Sequence, residues 1–208
     1  MLLPAAGVAV LVLLVLRTLV AETFAVTADS MAPTLKDGDR VVVLKTAGIE
    51  RDDIVVFDGA QLLGLRQSTV KRVIGVPGDE ISCCTGGRIV RNGEPLAEPY
   101  VTGPTDQTAF EVTVPADRYW VMGDNRADSA DSRSALGRPG GGMLRAADVV
   151  GEVRWRYWPT GGLGEVQEGG ATHTPTASSA GDVGVIGDTS EVIASPTDHT
   201  ANDKEPAP

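Results

Sequence analysis

Histidine is nearly absent from this 208-residue chain: its two copies, His173 and His199, both lie in the last 36 residues. A folded domain upstream of that stretch has no imidazole. Ser-His-Asp triads, Cys-His dyads and histidine-ligated metal sites are thereby excluded. Cysteine is also scarce, and Cys83 and Cys84 are neighbours. Two adjacent thiols are too few and too close to hold a metal. On the oxidising side of a membrane they could close as a vicinal disulfide, but the expectation is a local structural pair in a loop without chemistry. There is no surplus of positive charge either: 18 Lys and Arg stand against 28 Asp and Glu, a net charge of −10. Nucleic acid is therefore not an expected partner. No metal or other cofactor is expected.

That acidity is uneven. Residues 161–208 carry eight acids against Lys204, leaving a net charge of only −3 on residues 1–160. The same stretch has no Trp, Tyr or Phe and much Thr, Ser, Ala, Pro and Asp. It cannot bury enough surface to offset the entropy of ordering, so a disordered acidic tail is expected there. Val183–Ile186 is too short to be a second membrane span.

Long apolar runs occur once. Leu2 to Leu16 is unbroken, and Leu19 to Ala21 extends it past Arg17 and Thr18. Twenty helical residues reach ~30 Å, about one hydrocarbon core. No Lys or Arg precedes the run, and Leu19-Val20-Ala21 is a poor cleavage site. These features favour a retained transmembrane anchor, residues 1–21, over a removable secretory signal. Arg17 alone would weakly place the downstream domain in the cytoplasm, but a long domain translocates largely regardless of one charge.

Between Glu22 and Pro159, short β-branched runs alternate with Gly, Pro and Asp. Arg40–Leu44, Asp53–Phe57, Thr69–Ile74, Arg88–Arg91, Phe110–Val114, Tyr119–Met122 and Val149–Tyr157 read as strands. Asn92-Gly93 reads as a tight hairpin. The only helical signal is a short turn around Asp128–Ala135. An all-β domain over residues 22–160 is predicted.

Without histidine, a hydrolase needs another base, and this body holds three lysines: Lys36, Lys45 and Lys71. Lys36 lies in a polar turn and Lys45 at a strand end. Lys71 stands mid-strand among apolar neighbours. At its reference pKa of ~10.4, about one lysine in a few thousand is neutral at pH 7. A base near neutrality needs a downward shift of ~3 units, roughly 4 kcal/mol. Apolar burial, membrane proximity and the adjacent Arg72 are the expected sources.

Two further segments stand out: Ser30-Met31-Ala32-Pro33-Thr34-Leu35, nine residues beyond the apolar run, and the dense polar run Gly123-Asp124-Asn125-Arg126-Ala127-Asp128-Ser129-Ala130-Asp131-Ser132-Arg133. With Lys71-Arg72-Val73-Ile74-Gly75-x-Pro77-Gly78-Asp79 and the anchor, they stand in the order found in type I signal peptidases. The chain resembles that family over residues 1 to about 159. The resemblance implies a signal-peptidase-like β-barrel or sandwich and a membrane-bound Ser/Lys endopeptidase. Such an enzyme removes N-terminal signal peptides from secreted preproteins after small-x-small motifs. Ser30 would be the nucleophile and Lys71 its general base, with Ser129 orienting the lysine amine through its hydroxyl. Arg72, Asp131 and Arg133 match an ion-pair cluster beside the site, with Asp124 and Asn125 in the same loop. Phe24, Val26, Leu35 and Val70 would line shallow substrate pockets, along which the substrate adds as a strand. Many relatives carry a serine two residues before the nucleophile to help bind the oxyanion, where this chain has Ala28.

The resemblance further implies a single-pass protein of the plasma membrane with its catalytic domain on the extracytoplasmic face. Its partners would be preproteins, membrane lipid and the nearby export machinery. One alternative shares the chemistry, a self-cleaving repressor, but the anchor speaks against it. Another is a membrane-tethered β-domain that binds exported proteins without cutting them; such a protein should have lost Ser30 or Lys71.

Overall fold

The computed structural model describes residues 7–8, 19–105 and 108–166. Twelve strands occur among them: β1 (Ala21–Ala25), β2 (Arg40–Leu44), β3 (Ile54–Asp58), β4 (Ser68–Gly75), β5 (Glu80–Thr85), β6 (Arg88–Arg91), β7 (Glu94–Pro95), β8 (Phe110–Thr113), β9 (Arg118–Met122), β10 (Leu144–Arg145), β11 (Val149–Trp158) and β12 (Gly164–Glu165). One short α-helix, α1 (Gly59–Leu63), comes directly after β3. The Asp58 carboxylate caps it by accepting from Ala60 N, and Gly64 ends it at φ 72°.

The strands form two sheets. The larger runs β1-β2-β11-β3-β4-β9-β10, with β12 added to β11; the smaller runs β7-β6-β5-β8. Every paired neighbour is antiparallel. β11 is long because it serves two partners, pairing β2 along its C-terminal part and β3 along its N-terminal part, with register shifts that bend it from one to the other. The hairpin at Asn92-Gly93 forms as read, both residues having positive φ (55° and 84°).

Three apolar clusters fill the fold. One lies under β1 and β2 (Val26, Met31, Leu35, Val41, Val43, Ile54, Val56, Val153), and a second lies beneath α1. The third joins the two sheets: Ile74, Trp120 and Met122 of the larger pack with Ile81, Ile89 and Phe110 of the smaller. At that crossing a Cβ on Gly75 would fall 2.9 Å from Ile81, so only glycine lets β5 cross so closely.

Several expectations need correction. The strand β1 begins at Ala21, inside the range read as anchor, and runs antiparallel to β2. Residues 7–8 and 19–20 are helical, while the remainder of the anchor lies outside the described residues. Among the described residues no helix is long and apolar enough to cross a membrane. The domain also extends past residue 160. β12 pairs with β11, Val166 N donates to Arg154 O at 3.0 Å, and Val166 packs on the first cluster. The rest of the acidic tail lies outside the described residues. Cys83 and Cys84 sit in the strand β5 rather than a loop, and they are joined to each other as a disulfide.

Candidate active site

Ser30 lies in a single 3-10 turn, Asp29–Met31, just beyond β1. Met31 and Leu35 anchor this segment by inserting fully into the first apolar cluster. Two bonds from Asn125 fix its backbone: Asn125 N donates to Ser30 O at 3.1 Å, and Asn125 Nδ2 donates to Asp29 O at 3.2 Å. Asn125, expected only as a loop residue, thus positions the turn that carries the serine.

Lys71 comes from β4, where its neighbours are too apolar for a solvated lysine. It is 2 % exposed, and its Nζ lies 2.6 Å from Ser30 Oγ. Burial pushes the amine down to about 8; the carboxylates of Asp131 and Asp124 act in the opposite direction, and the nearby Arg133 guanidinium lowers it further. The assisting cation is therefore Arg133. The adjacent Arg72 does not act on the amine; its own charge is matched by Asp124.

That match is a buried, forked ion pair. Arg72 Nε and Nη2 reach Asp124 Oδ1 and Oδ2 at 2.9 and 2.7 Å, and both side chains are fully shielded from solvent. Thr34 Oγ1 donates to the same carboxylate at 2.6 Å, tying the Ser30 segment to it. The Tyr100 ring covers the guanidinium at 3.9 Å. The expected ion-pair cluster is in fact two separate pairs. Asp131 forms the other, accepting from Arg133 Nε and Nη2 at 2.9 and 2.8 Å and from Gly123 N at 3.1 Å. Replacing Asp124 by alanine strands a buried guanidinium, and a loss of about 3–5 kcal/mol in unfolding free energy is expected by denaturant titration.

Ser129 lies beside this centre. Its Oγ is buried and has no hydrogen-bond partner, so the expected bond to the lysine amine is not formed here. The side chain packs instead against Gly123. A Cβ on Gly123 would overlap both the Ser129 hydroxyl and the Ser30 carbonyl oxygen. Arg126 pins this glycine, its Nε donating to Gly123 O at 3.0 Å while its other nitrogens hold Glu98. Gly123, Arg126 and Thr34 all stand inside the quoted motifs, but nothing in one dimension gave them these tasks. Tyr100 and Glu98 carried no signal at all.

Ser30 and Lys71 open into a cleft of about 260 Å³. Phe24, Val26 and Val70 line it, joined by Val41, Val56 and Leu63. Leu35 does not; it is fully buried in the core below. Ala28 lies on the rim, in extended backbone. Along the cleft, among the described residues, Ser68–Lys71 of β4 pair with β3 on one side only, since β9 pairs with β4 only from Arg72 onward. Among the described residues β1 is likewise paired on one side, by β2. Two open strand edges therefore meet at the same cleft.

A hydroxyl in contact with a buried amine of lowered pKa, at the end of an apolar cleft with open strand edges, defines a site for nucleophilic attack on an extended peptide. Comparison with known proteins gives that class a family. Residues 1–158 match the model of the family described as "Signal peptidase, peptidase S26", and the chain belongs to it. It is 37 % identical to signal peptidase I of Leptolyngbya laminosa over 169 residues, covering 77 % of this chain and 80 % of that protein. It is 36 % identical to signal peptidase I U of Bacillus subtilis, covering 70 % of this chain and 80 % of that one. A crystal structure of a signal peptidase I from Enterococcus faecalis shares 28 % identity at a TM-score of 0.41, covering 51 % of this chain and 97 % of that one.

Proposed function

We propose that this chain is a signal peptidase that hydrolyses preproteins behind their signal peptides, with Ser30 as nucleophile and Lys71 as general base. The observation that carries the reading is the 2.6 Å contact between Lys71 Nζ and Ser30 Oγ inside the apolar cleft. In its neutral form the amine accepts the hydroxyl proton as Oγ bonds to the scissile carbonyl carbon. The resulting ammonium returns that proton to the departing amine, leaving an acyl-serine. Lys71 then deprotonates a water that attacks the ester, and Ser30 recovers its proton.

The substrate lies extended between the open edges of β1 and β4, bonded through its main chain. Phe24, Val26 and Val70 leave room for small apolar side chains only, in keeping with small residues at the first and third positions before the cut. Ala28 offers no hydroxyl to the oxyanion, so the Ser30 N–H carries that task. Ser129 serves as a positioning residue for the lysine once substrate has closed the cleft. The apolar N-terminal segment, residues 1–21, anchors the catalytic domain at the extracytoplasmic surface of the plasma membrane, close to lipid and to the export machinery. Cleavage segments emerge there.

The test uses the full chain in neutral detergent and a preprotein with an Ala-x-Ala segment. Mass spectrometry should find a single cut after the second alanine. Changing that alanine to phenylalanine should lower kcat/KM by ~10² or more, because an aromatic ring overfills the pocket. Absence of any cut in the parent precursor would overturn the function.

A further inference from the structure

A second cavity lies away from the cleft, between α1, the start of β9 and the turn leading to β10. It too measures about 260 Å³, but its chemistry is different. Arg118, Arg138 and Arg145 all line it, together with Gln61 and the apolar floor of Leu62 and Met143, and no carboxylate does. This is unexpected in a chain with ten more acids than bases.

The three guanidiniums are placed at a cost. Arg118 and Arg145 are direct cross-strand partners of β9 and β10, an arrangement that like charges destabilise. Asp148 offsets Arg145 alone, bound to its Nε at 2.7 Å and its Nη2 at 2.5 Å; Asp58 adds to the field there. The side chains of Arg118 and Arg138 form no ion pair or hydrogen bond among the described residues. The turn holding Arg138 is nonetheless defined. Arg138 N donates to Ala135 O at 2.9 Å, Gly141 N to Arg138 O at 3.0 Å, and Met143 N to Gly140 O at 3.1 Å. Gly64 lets one of the free guanidiniums come in: Arg138 Nη1 lies 2.7 Å from where a Cβ on Gly64 would be.

We propose that this cavity binds a phosphate-class oxyanion, held between the Arg118 and Arg138 forks with Gln61 at its edge. Planar guanidiniums match two phosphate oxygens at a time, and an anion here removes the cross-strand repulsion. The phosphate belongs either to a free anion or to the phosphodiester of a membrane lipid. The helix α1 is shared by both cavities: Leu62 faces the arginines, while Leu63 lines the substrate cleft. An occupied anion site therefore stiffens one wall of the cleft.

The experiment titrates inorganic phosphate into the full chain in neutral detergent, with ionic strength held constant by chloride, and reads the thermal midpoint. A saturating rise of about 2–5 °C at tenfold excess over Kd is expected. The rise should vanish in Arg118→Gln/Arg138→Gln and halve or more in the exposed single variant Arg138→Gln, with cleavage of a soluble peptide unchanged. An equal rise in parent and double variant, or none beyond chloride, overturns the proposal. Flotation with phosphatidylglycerol against phosphatidylcholine vesicles then separates the sources. A several-fold preference for phosphatidylglycerol that disappears in the double variant assigns the lipid phosphodiester. A saturating phosphate response with no such preference assigns a free anion.

Discussion

Replacing Lys71 by methionine is expected to abolish precursor cleavage while making the protein more stable. The two effects share one cause. Burial holds the amine at about 8 instead of its ordinary 10.5, which at about 1.4 kcal/mol per pH unit means the fold gives up about 3 kcal/mol to keep it. Methionine removes the charge and keeps the length, so a gain of ~1–3 kcal/mol in unfolding free energy is expected at pH 7. Activity should fall by ~10³-fold or more, since among the described residues no other amine contacts the Ser30 hydroxyl. Loss of stability together with activity would mean that Lys71 is structural.

The same amine gives the pH dependence a definite sign. With its pKa at about 8, roughly one molecule in ten carries it neutral at pH 7. Cleavage, measured as kcat/KM, should rise about tenfold per pH unit below that point and level off above it. Stability should move the same way higher up. Between about 8 and 10.5 the unfolded chain holds a proton that the folded chain has released, so stability rises with pH through that window. The Lys71→Met variant should lose this slope. A profile flat from pH 6 to 9 would remove Lys71 from the base's role.

Gly123→Ala is the second large effect. The added methyl would overlap the Ser30 carbonyl and the Ser129 hydroxyl, and it would lie 2.6 Å from Ser129 Cβ. The carbonyl belongs to the backbone of Ser30, which Asn125 already fixes. Relief requires a shift of the Ser30 backbone, which disturbs its contact with Lys71. Displacement by about 1 Å costs ~10² in rate, and overpacking a buried position costs about 1–3 kcal/mol in stability. Steady-state kinetics should show the loss in kcat rather than KM, because the pocket-lining residues are untouched. An alanine variant with parental kcat would show that the contact does not hold Ser30 in place.

The strands were legible where β-branched residues ran together. Arg40–Leu44 and Arg88–Arg91 have the bounds read from sequence, and the others differ by a residue or two. β1 was hidden because Ala21–Ala25 adjoins the apolar run and has no β-branched cluster of its own. β5 was hidden by its two cysteines, and β12 by glycine. In each case pairing with a neighbour, and not local propensity, makes the strand. Leu35 was misassigned for a related reason: proximity to Ser30 in sequence says nothing about which side of the turn faces the cleft.

The sequence by itself determined which chemistry was open to this protein. A body without histidine and with three lysines, read with its ordered motifs, left a serine and one strand lysine as the candidates for nucleophile and base. That is a matter of composition, and no folding can add a missing imidazole. Only the tertiary structure decided the rest. It set Lys71 2.6 Å from Ser30, gave Arg72 to Asp124 and Arg133 to Asp131, and made Gly123 indispensable beside the serine carbonyl. A lysine becomes a base through desolvation and the charges around it. Both depend on which distant segments the fold brings together.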